Sequence, residues 1–279
     1  MPELPEVETV RAGLEGAVVG RRIDDVEVLG RRTVRRQSPA ELQMRLVGRS
    51  FAAARRRGKY LLLGLDDDAV LVVHLRMSGQ LLHVGDPSAH DLPAHTQVVA
   101  RLGDGAELRF VDPRTFGEWF VAADLDARGV PAALAHLGRD PLIDGLPASY
   151  LARSFARRRA PLKALLTDQR IIAGIGNLYA DEICHVARLR PDRPGGSLEA
   201  PEISRLAKAA RAVLNSAVEL RGSSLRDLRY RDIEGSIGSY QDRHAVYDRR
   251  GAPCPRCAAP IAKIRIGAKV AYCCEVCQQ

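Results

Sequence analysis

Residues 60–84 read YLLLGLDDDAVLVVHLRMSGQLLHV. Three short runs rich in Leu and Val, Tyr60–Leu65, Val70–Leu75 and Gln80–Val84, are too brief for helices, and the acidic triplet Asp66-Asp67-Asp68 is a turn signal, so the spacing predicts strands. Outward toward the C-terminus the pattern continues in Gln97–Leu102, Glu107–Val111 and Glu118–Ala122, with the first two separated by Gly103-Asp104-Gly105. Strands of this length and spacing imply a β-sandwich or a barrel. Toward the N-terminus, Val7, Val10, Leu14 and Ala17/Val18 fall at helical spacing between Pro5 and about Val19, with Pro in the first turn. Beyond Pro131 the character changes to helices, at Pro161–Asp168, Leu178–Arg188 and Pro201–Leu220. The last has Ile203, Leu206, Ala210, Val213, Leu214, Ala217 and Leu220 on one face and ends at Gly222, a C-cap residue. A connection rich in Gly, Ser and Arg, 222–240, then leads to a short tail bearing cysteines.

The whole chain is 279 residues with 46% hydrophobic and 27% charged residues, which excludes a disordered, collagen-like or coiled-coil protein. Its length suggests two domains and a small appendage. No apolar run is long enough to cross a membrane, and the acidic start MPELPEVETV does not resemble a signal peptide. A cytoplasmic location is therefore expected, where thiols stay reduced and the six cysteines serve as metal ligands or bystanders rather than disulfides.

The net charge is +8, but its distribution says more. Residues 31–59 hold ten bases and one acid, 153–170 six and one, 221–231 four and one, and 249–269 six and none. A charge run is ordinarily a solvated face. Concentration into four blocks, with acids elsewhere, favours a polyanion, and nucleic acid above a membrane surface because the blocks lack an apolar helical face.

In the tail, Cys254-Pro-Arg-Cys257 and Cys274-Glu-Val-Cys277 are separated by sixteen residues. Two such pairs predict one structural zinc site, since each supplies two ligands from a tight turn and four protein ligands leave no position for water. Cys273 adjoins this set, but only Cys274 gives the two-residue gap, and Cys184 reads as a small core residue. At the other end, removal of Met1 exposes the secondary amine of Pro2 beside Glu3 and Glu6. Such an amine can attack a carbonyl-like carbon and form an iminium, an electron sink for elimination. The plainer alternative is that the carboxylates complement the first helical turn.

MPELPEVETVR resembles the start of the formamidopyrimidine-DNA glycosylase family. So do Arg57-Gly-Lys59-Tyr60-Leu-Leu, His74-Leu-Arg-Met77-Ser-Gly79, Asp112-Pro-Arg114-Thr-Phe116-Gly117, Gly174-Ile-Gly176-Asn177-Leu-Tyr179-Ala-Asp-Glu182 and the four-cysteine tail, in the family's order along essentially the whole chain. The sister branch of endonuclease VIII-like enzymes begins PEG instead of PELPEV, and a non-catalytic zinc-dependent damage binder is the alternative from another class. The resemblance implies an α+β chain: an N-terminal β-sandwich with its helix over 1–130, a helix-two-turn-helix domain over 131–240, and a zinc finger on a β-hairpin over 241–279.

It also implies roles. Pro2 is the expected nucleophile at C1′, Glu3 the acid/base, and Lys59 the cation at the flanking phosphate and reacting centre. Glu6 is expected to hold the helix start against the second domain, and His74 and Asn177 to grip phosphates, Asn177 at a helix start. Met77, Arg114 and Phe116 fill the gap left by a nucleotide rotated out of the duplex; strand periodicity alone would place Met77 and Phe116 in the core. The implied partner is double-stranded DNA carrying damaged bases or abasic sites, bound by a monomer with one zinc ion. Four departures from the family stand out: Arg76 in place of Gly, expected to reach along the strand toward a phosphate; Lys269 in place of Arg on the hairpin; Ser239; and a longer 222–240 connection.

Overall fold

In the computed structural model, which describes residues 2–225 and 230–279, Pro2 and Glu3 lead directly into α1 (Leu4–Ala17). Proline in its first turn has no amide to leave unpaired, and Val7, Val10 and Leu14 bury one face. There follow β1 (Ile23–Val28), α2 (Pro39–Leu46), β2 (Phe51–Arg57), β3 (Tyr60–Leu65), β4 (Val70–His74), β5 (Gln80–Val84), β6 (Thr96–Leu102), β7 (Glu107–Val111) and β8 (Glu118–Ala122). They form two four-stranded antiparallel sheets, β1-β6-β7-β5 and β2-β3-β4-β8. One hydrophobic cluster joins them: Val26, Leu81, Val98 and Phe110 from the first sheet meet Leu61, Leu71, Val73 and Trp119 from the second. This is a sandwich, and the barrel alternative falls.

The predicted strands stand within a residue at either end. Unpredicted were β1, β2 and α2. In β2, Phe-Ala-Ala-Ala-Arg-Arg-Arg lacks apolar alternation because Arg56 and Arg57 are themselves buried; the Arg56 Nε donates to Glu8 Oε2 at 2.8 Å. α2 starts at Ser38, whose hydroxyl accepts the Glu41 amide while Glu41 accepts the Ser38 amide, a capping box hidden inside a basic block.

The second unit contains α3 (Ala148–Phe155), α4 (Leu162–Leu166), α5 (Asn177–Ala187), α6 (Ala200–Glu219) and the hairpin β9 (Ala262–Ile266)–β10 (Lys269–Cys273), paired Lys269 to Ile266 through Cys273 to Ala262. α5 packs against α4, α6 and β10 and is buried along most of its length. α4 is shorter than predicted, and α3 was not predicted at all. Among the described residues no helix is long and apolar enough to cross a membrane.

By contacts the chain divides into 1–135 with 220–239, and 136–219 with 240–279. The segment after α6, expected to belong with the helices, therefore counts with the sandwich. Tyr230 and Ile233 sit in the sandwich core, and His83 donates its amide to the Ile233 carbonyl at 2.7 Å. Met1 and residues 226–229, which hold part of the third basic block and of the 222–240 connection, lie outside the described residues.

Candidate active site and metal centre

The N-terminal end of α1 is built around carboxylates. Pro2 is buried and Glu3 is nearly so. Glu6 turns back to accept the Glu3 amide through Oε2 at 2.8 Å and the Ser223 amide through Oε1 at 2.8 Å. Its partner Ser223 lies within the 131–240 stretch expected to form the second domain, and by contacts residues 220–239 of that stretch count with the sandwich. Gly222 has φ +76°, and a Cβ there would strike the Glu6 carboxylate, so only glycine lets this segment pass. Lys59 follows the turn of the β2–β3 hairpin and is buried, close enough to His74 for its charge to disfavour a second cation there.

His74 ends β4 opposite Tyr60 on one side and Glu118 on the other. Its ring meets Tyr60 edge-on at 4.3 Å between centroids. Burial, then the Arg76 and Lys59 cations, push its pKa down to about 3. The Arg76 amide donates to His74 Nδ1 at 2.8 Å, so the neutral ring carries its proton on Nε2. His74 is therefore a donor with a fixed tautomer.

Two loops follow from this strand end. Met77 is 40% and Phe116 45% exposed, which overturns their alternative placement in the core. Arg114 is exposed, its guanidinium 4.8 Å from the Phe116 ring centroid. Beneath these tips the loops are tied down by Asp112, which is fully buried: Oδ1 accepts the Ser78 hydroxyl at 2.6 Å and the Arg114 amide at 3.2 Å, and Oδ2 the Gly117 amide at 2.7 Å. Gly79 and Gly117 both press on the Phe110 ring, leaving no room for a Cβ at either. Exposed apolar and cationic tips on a rigid base suit insertion into a stack of bases. Arg76, expected to reach for a phosphate, instead donates to Glu118 Oε1 at 2.5 Å. Glu118 was missed, because nothing in the sequence shows that the first residue of β8 stands across from His74.

In the second unit, Gly176 is the N-cap of α5 and Asn177 its first helical residue, exposed at the end where amides point outward. The preceding turn is stapled by Gln169, which accepts the Gly174 amide at 2.8 Å and donates to the Ile175 carbonyl at 2.7 Å. Gly174 has φ +106°, a conformation reserved for glycine. Lys269 donates to Thr167 Oγ1 at 2.7 Å, which brings the hairpin's cation to the same turn.

Cys254, Cys257, Cys274 and Cys277 converge with their sulfurs all within 4.8 Å of one another. Sulfurs at about 2.3 Å from a tetrahedral zinc ion lie roughly 3.8 Å apart, and the Cys254–Cys277 and Cys257–Cys274 separations are 4.0 and 3.5 Å. The four residues fit such an ion. His185 places Nε2 3.4 Å from Cys254 Sγ, where it can donate to a metal-bound thiolate. Cys184 is fully buried, and burial pushes its thiol well up, as suits a packing residue.

The hairpin is fastened to α5 by groups whose pairing the sequence did not reveal. Lys163, buried on α4, lies 2.8 Å from Asp181 Oδ1 and donates to the Val270 carbonyl at 2.6 Å, while Asp181 Oδ2 accepts the Tyr272 amide at 3.0 Å. Burial pushes Asp181 up to about 7 against the pull of Lys163. Glu182 accepts three consecutive amides, Ala245 at 2.8, Val246 at 3.0 and Tyr247 at 2.8 Å. A lysine within the apolar run Pro161–Leu166 was the available signal.

Known proteins share this construction. Residues 1–119 match the model of the formamidopyrimidine-DNA glycosylase N-terminal domain, and 137–228 that of the formamidopyrimidine-DNA glycosylase H2TH domain. The formamidopyrimidine-DNA glycosylase of Pelotomaculum thermopropionicum is 42% identical, covering 100% of this chain and 99% of that one. That of Symbiobacterium thermophilum is 44% identical over 100% of this chain and 89% of its own length. Among solved structures, the MutM (Fpg) protein of Thermus thermophilus aligns with a TM-score of 0.87 at 39% identity, covering 99% and 98%. The Lactococcus lactis Fpg in complex with DNA containing an abasic site aligns with a TM-score of 0.88 at 30% identity, covering 99% of each chain.

Proposed function

This chain belongs to the formamidopyrimidine-DNA glycosylase family, and on that premise we propose that it is a bifunctional glycosylase and abasic-site lyase acting on oxidised purines, 8-oxoguanine and formamidopyrimidines, paired with cytosine in duplex DNA. The observation that carries the reading is the start of α1, where Pro2 and Glu3 are buried together and the Glu3 backbone is held by Glu6. Once Met1 is gone, the Pro2 nitrogen attacks C1′ of the damaged nucleoside and the base departs. Glu3 protonates the ring oxygen as the sugar opens. The resulting iminium withdraws electrons from C2′, so the 3′ and then the 5′ phosphate leave by β- and δ-elimination. Lys59 and the Nε2 proton of His74 serve the phosphates beside the reacting sugar, and Asn177 and Lys269 a phosphate of the same duplex. Met77, Arg114 and Phe116 occupy the vacated stack.

Cys254, Cys257, Cys274 and Cys277 would hold one zinc ion, which would supply structure only, since four thiolate ligands leave no open position for substrate. Borohydride trapping on duplexes with 8-oxoguanine, an oxidised pyrimidine or an abasic site tests the reading. The expected result is a cross-link mapped to Pro2, strongest with the purine lesion. A cross-link on a lysine side chain rejects the nucleophile, and tight binding of damaged DNA without any cross-link favours the non-catalytic binder. Binding should also fall steeply with salt, by a log–log slope of about −0.9 per phosphate contact.

A further inference from the structure

The loops carrying Met77 and Phe116 are joined at two depths. The deep joint consists of Asp112, Ser78 and the Phe110 ring beneath Gly79 and Gly117. The shallow joint is the single contact between Arg76 and Glu118, whose side chains are 41% and 17% exposed. Arg76 has φ +53°, in the left-handed region that an arginine rarely adopts. Thr115, between Arg114 and Phe116 in the facing loop, has φ +54°. Such conformations persist only where the surroundings over-determine them.

Arg76 is held at both ends. Its amide donates to His74 Nδ1, and its guanidinium returns to Glu118, the β8 residue paired with His74 across the sheet. The chain from His74 to Met77 therefore closes on itself through Glu118. We propose that the Arg76–Glu118 pair is a latch that holds the Met77 turn against the Arg114–Phe116 loop, making both positioning residues for the discrimination between an intact lesion and an abasic site. The proposal rests on the reading of Met77 as the residue that enters the stack. An isolated surface ion pair contributes little. This one fixes the guanidinium end of a turn whose left-handed backbone is held at its other end by the amide bond to His74, so its loss changes where Met77 points rather than the stability of the sandwich. An intact lesion must be unstacked before reaction and an abasic site much less so, so a loosened wedge affects the first substrate more.

The test uses full-length protein with Glu118→Gln, which keeps shape and removes charge, and Arg76→Lys, which keeps charge and loses the planar fork. Two readouts separate the latch from the wedge. In DNA-free protein, methyl relaxation at Met77 and amide exchange over 75–79 and 113–117 should show increased motion in Glu118→Gln and a smaller increase in Arg76→Lys. With DNA, the ratio of 8-oxoguanine excision to abasic-site cleavage should fall roughly fivefold in Glu118→Gln. Restoring the pair in reverse, Arg76→Glu with Glu118→Arg, should recover part of that ratio. Unchanged motion in Glu118→Gln overturns the latch whatever the chemistry does. Increased motion with an unchanged ratio overturns the positioning role. The wedge reading is tested apart from both by Met77→Ala, which fails it if lesion and abasic site slow by the same factor.

Discussion

The sandwich and the cysteine-bearing tail reach a folded state by opposite means. Among the described residues, the sandwich buries a continuous cluster of twenty-nine residues drawn from α1, α2, both sheets and the 220–239 segment. Among the described residues the tail's own buried cluster is Val246, Cys254, Ile261 and Cys274, two of them members of the four-cysteine group that could hold a metal ion. A core that small does not offset the conformational entropy of ordering the chain. What the tail lacks in apolar area is offset by carboxylates of α5 that accept its backbone amides, and four cysteine sulfurs converge where one metal ion could join them. The contrast teaches that the two halves should come apart under different insults.

The largest effect is expected from the metal. Structural zinc in small domains contributes on the order of 10–16 kcal/mol to folding, more than the tail's few apolar contacts can replace. Chelation, or Cys274→Ser, should abolish amide protection over 245–279 while residues 4–122 keep theirs, as hydrogen exchange would show. Metal analysis should find one zinc per chain. Loss of protection in the sandwich at the same chelator concentration would erase the distinction.

The mirror experiment is Trp119→Ala. Trp119 is fully buried and meets Phe110 at 5.8 Å between ring centroids, so its removal should cost the sandwich about 3–5 kcal/mol. Zinc content and tail protection should not change. A variant that sheds its metal would show the halves to be one cooperative unit.

Legibility followed the same division. Strands β3 to β8 could be placed from the sequence because their apolar runs sit between turn residues, and the metal site because two C-x-x-C pairs spell their ligands locally. What could not be read is pairing over distance. Arg56 and Lys163 belong to blocks that look like solvated basic faces, yet both are buried, because Glu8 and Asp181 come to them in the fold. Counting charge treats every cation alike. Glu118 was invisible for the same reason: its partner is set by strand register. The chemical roles proposed for Pro2, Glu3 and Asn177 rest on resemblance to a family, since a proline and two acids at a helix start satisfy local helix chemistry equally well.

Where α4 and α5 fasten the tail, the Lys163–Asp181 pair sharpens the comparison at intermediate size. Lys163→Met leaves the Asp181 carboxylate buried without its cation, which costs about 3 kcal/mol at the lower end for such breaks, because Asp181 can take up a proton. Since burial raises the folded pKa of Asp181 to about 7, its contribution to stability is present below the unfolded pKa and is lost as pH rises through 7. The difference in stability between wild type and Asp181→Asn should therefore shift against the wild type between about pH 4 and 7 and flatten above it. Comparing the two proteins at equal metal saturation removes the opposing proton dependence of the thiolates. A difference that does not vary with pH would mean that Asp181 stays ionised throughout.

His74 gives the most local effect, confined near neutral pH to one ring, and it runs the other way. Its folded pKa, about 3, lies below that of an unfolded histidine near 6.5. Below about pH 6.5 the unfolded chain takes up a proton that the folded sandwich refuses, so this group's contribution is intact at neutral pH and is lost as the solution is acidified toward 3. Acid should weaken the sandwich through His74 over the range in which protonation of Asp181 favours the folded second unit. Nitrogen chemical shifts of the ring are the direct measurement. They should show the Nε2-protonated neutral form at pH 7, with Nδ1 accepting from Arg76, and no protonation down to pH 5. A ring that titrates near 6.5 would mean that the Arg76 amide does not hold Nδ1. The strand end bearing Met77 would then be no more ordered than an ordinary loop, and the sandwich would have lost the contact that turns its packed core into a rigid platform for that residue.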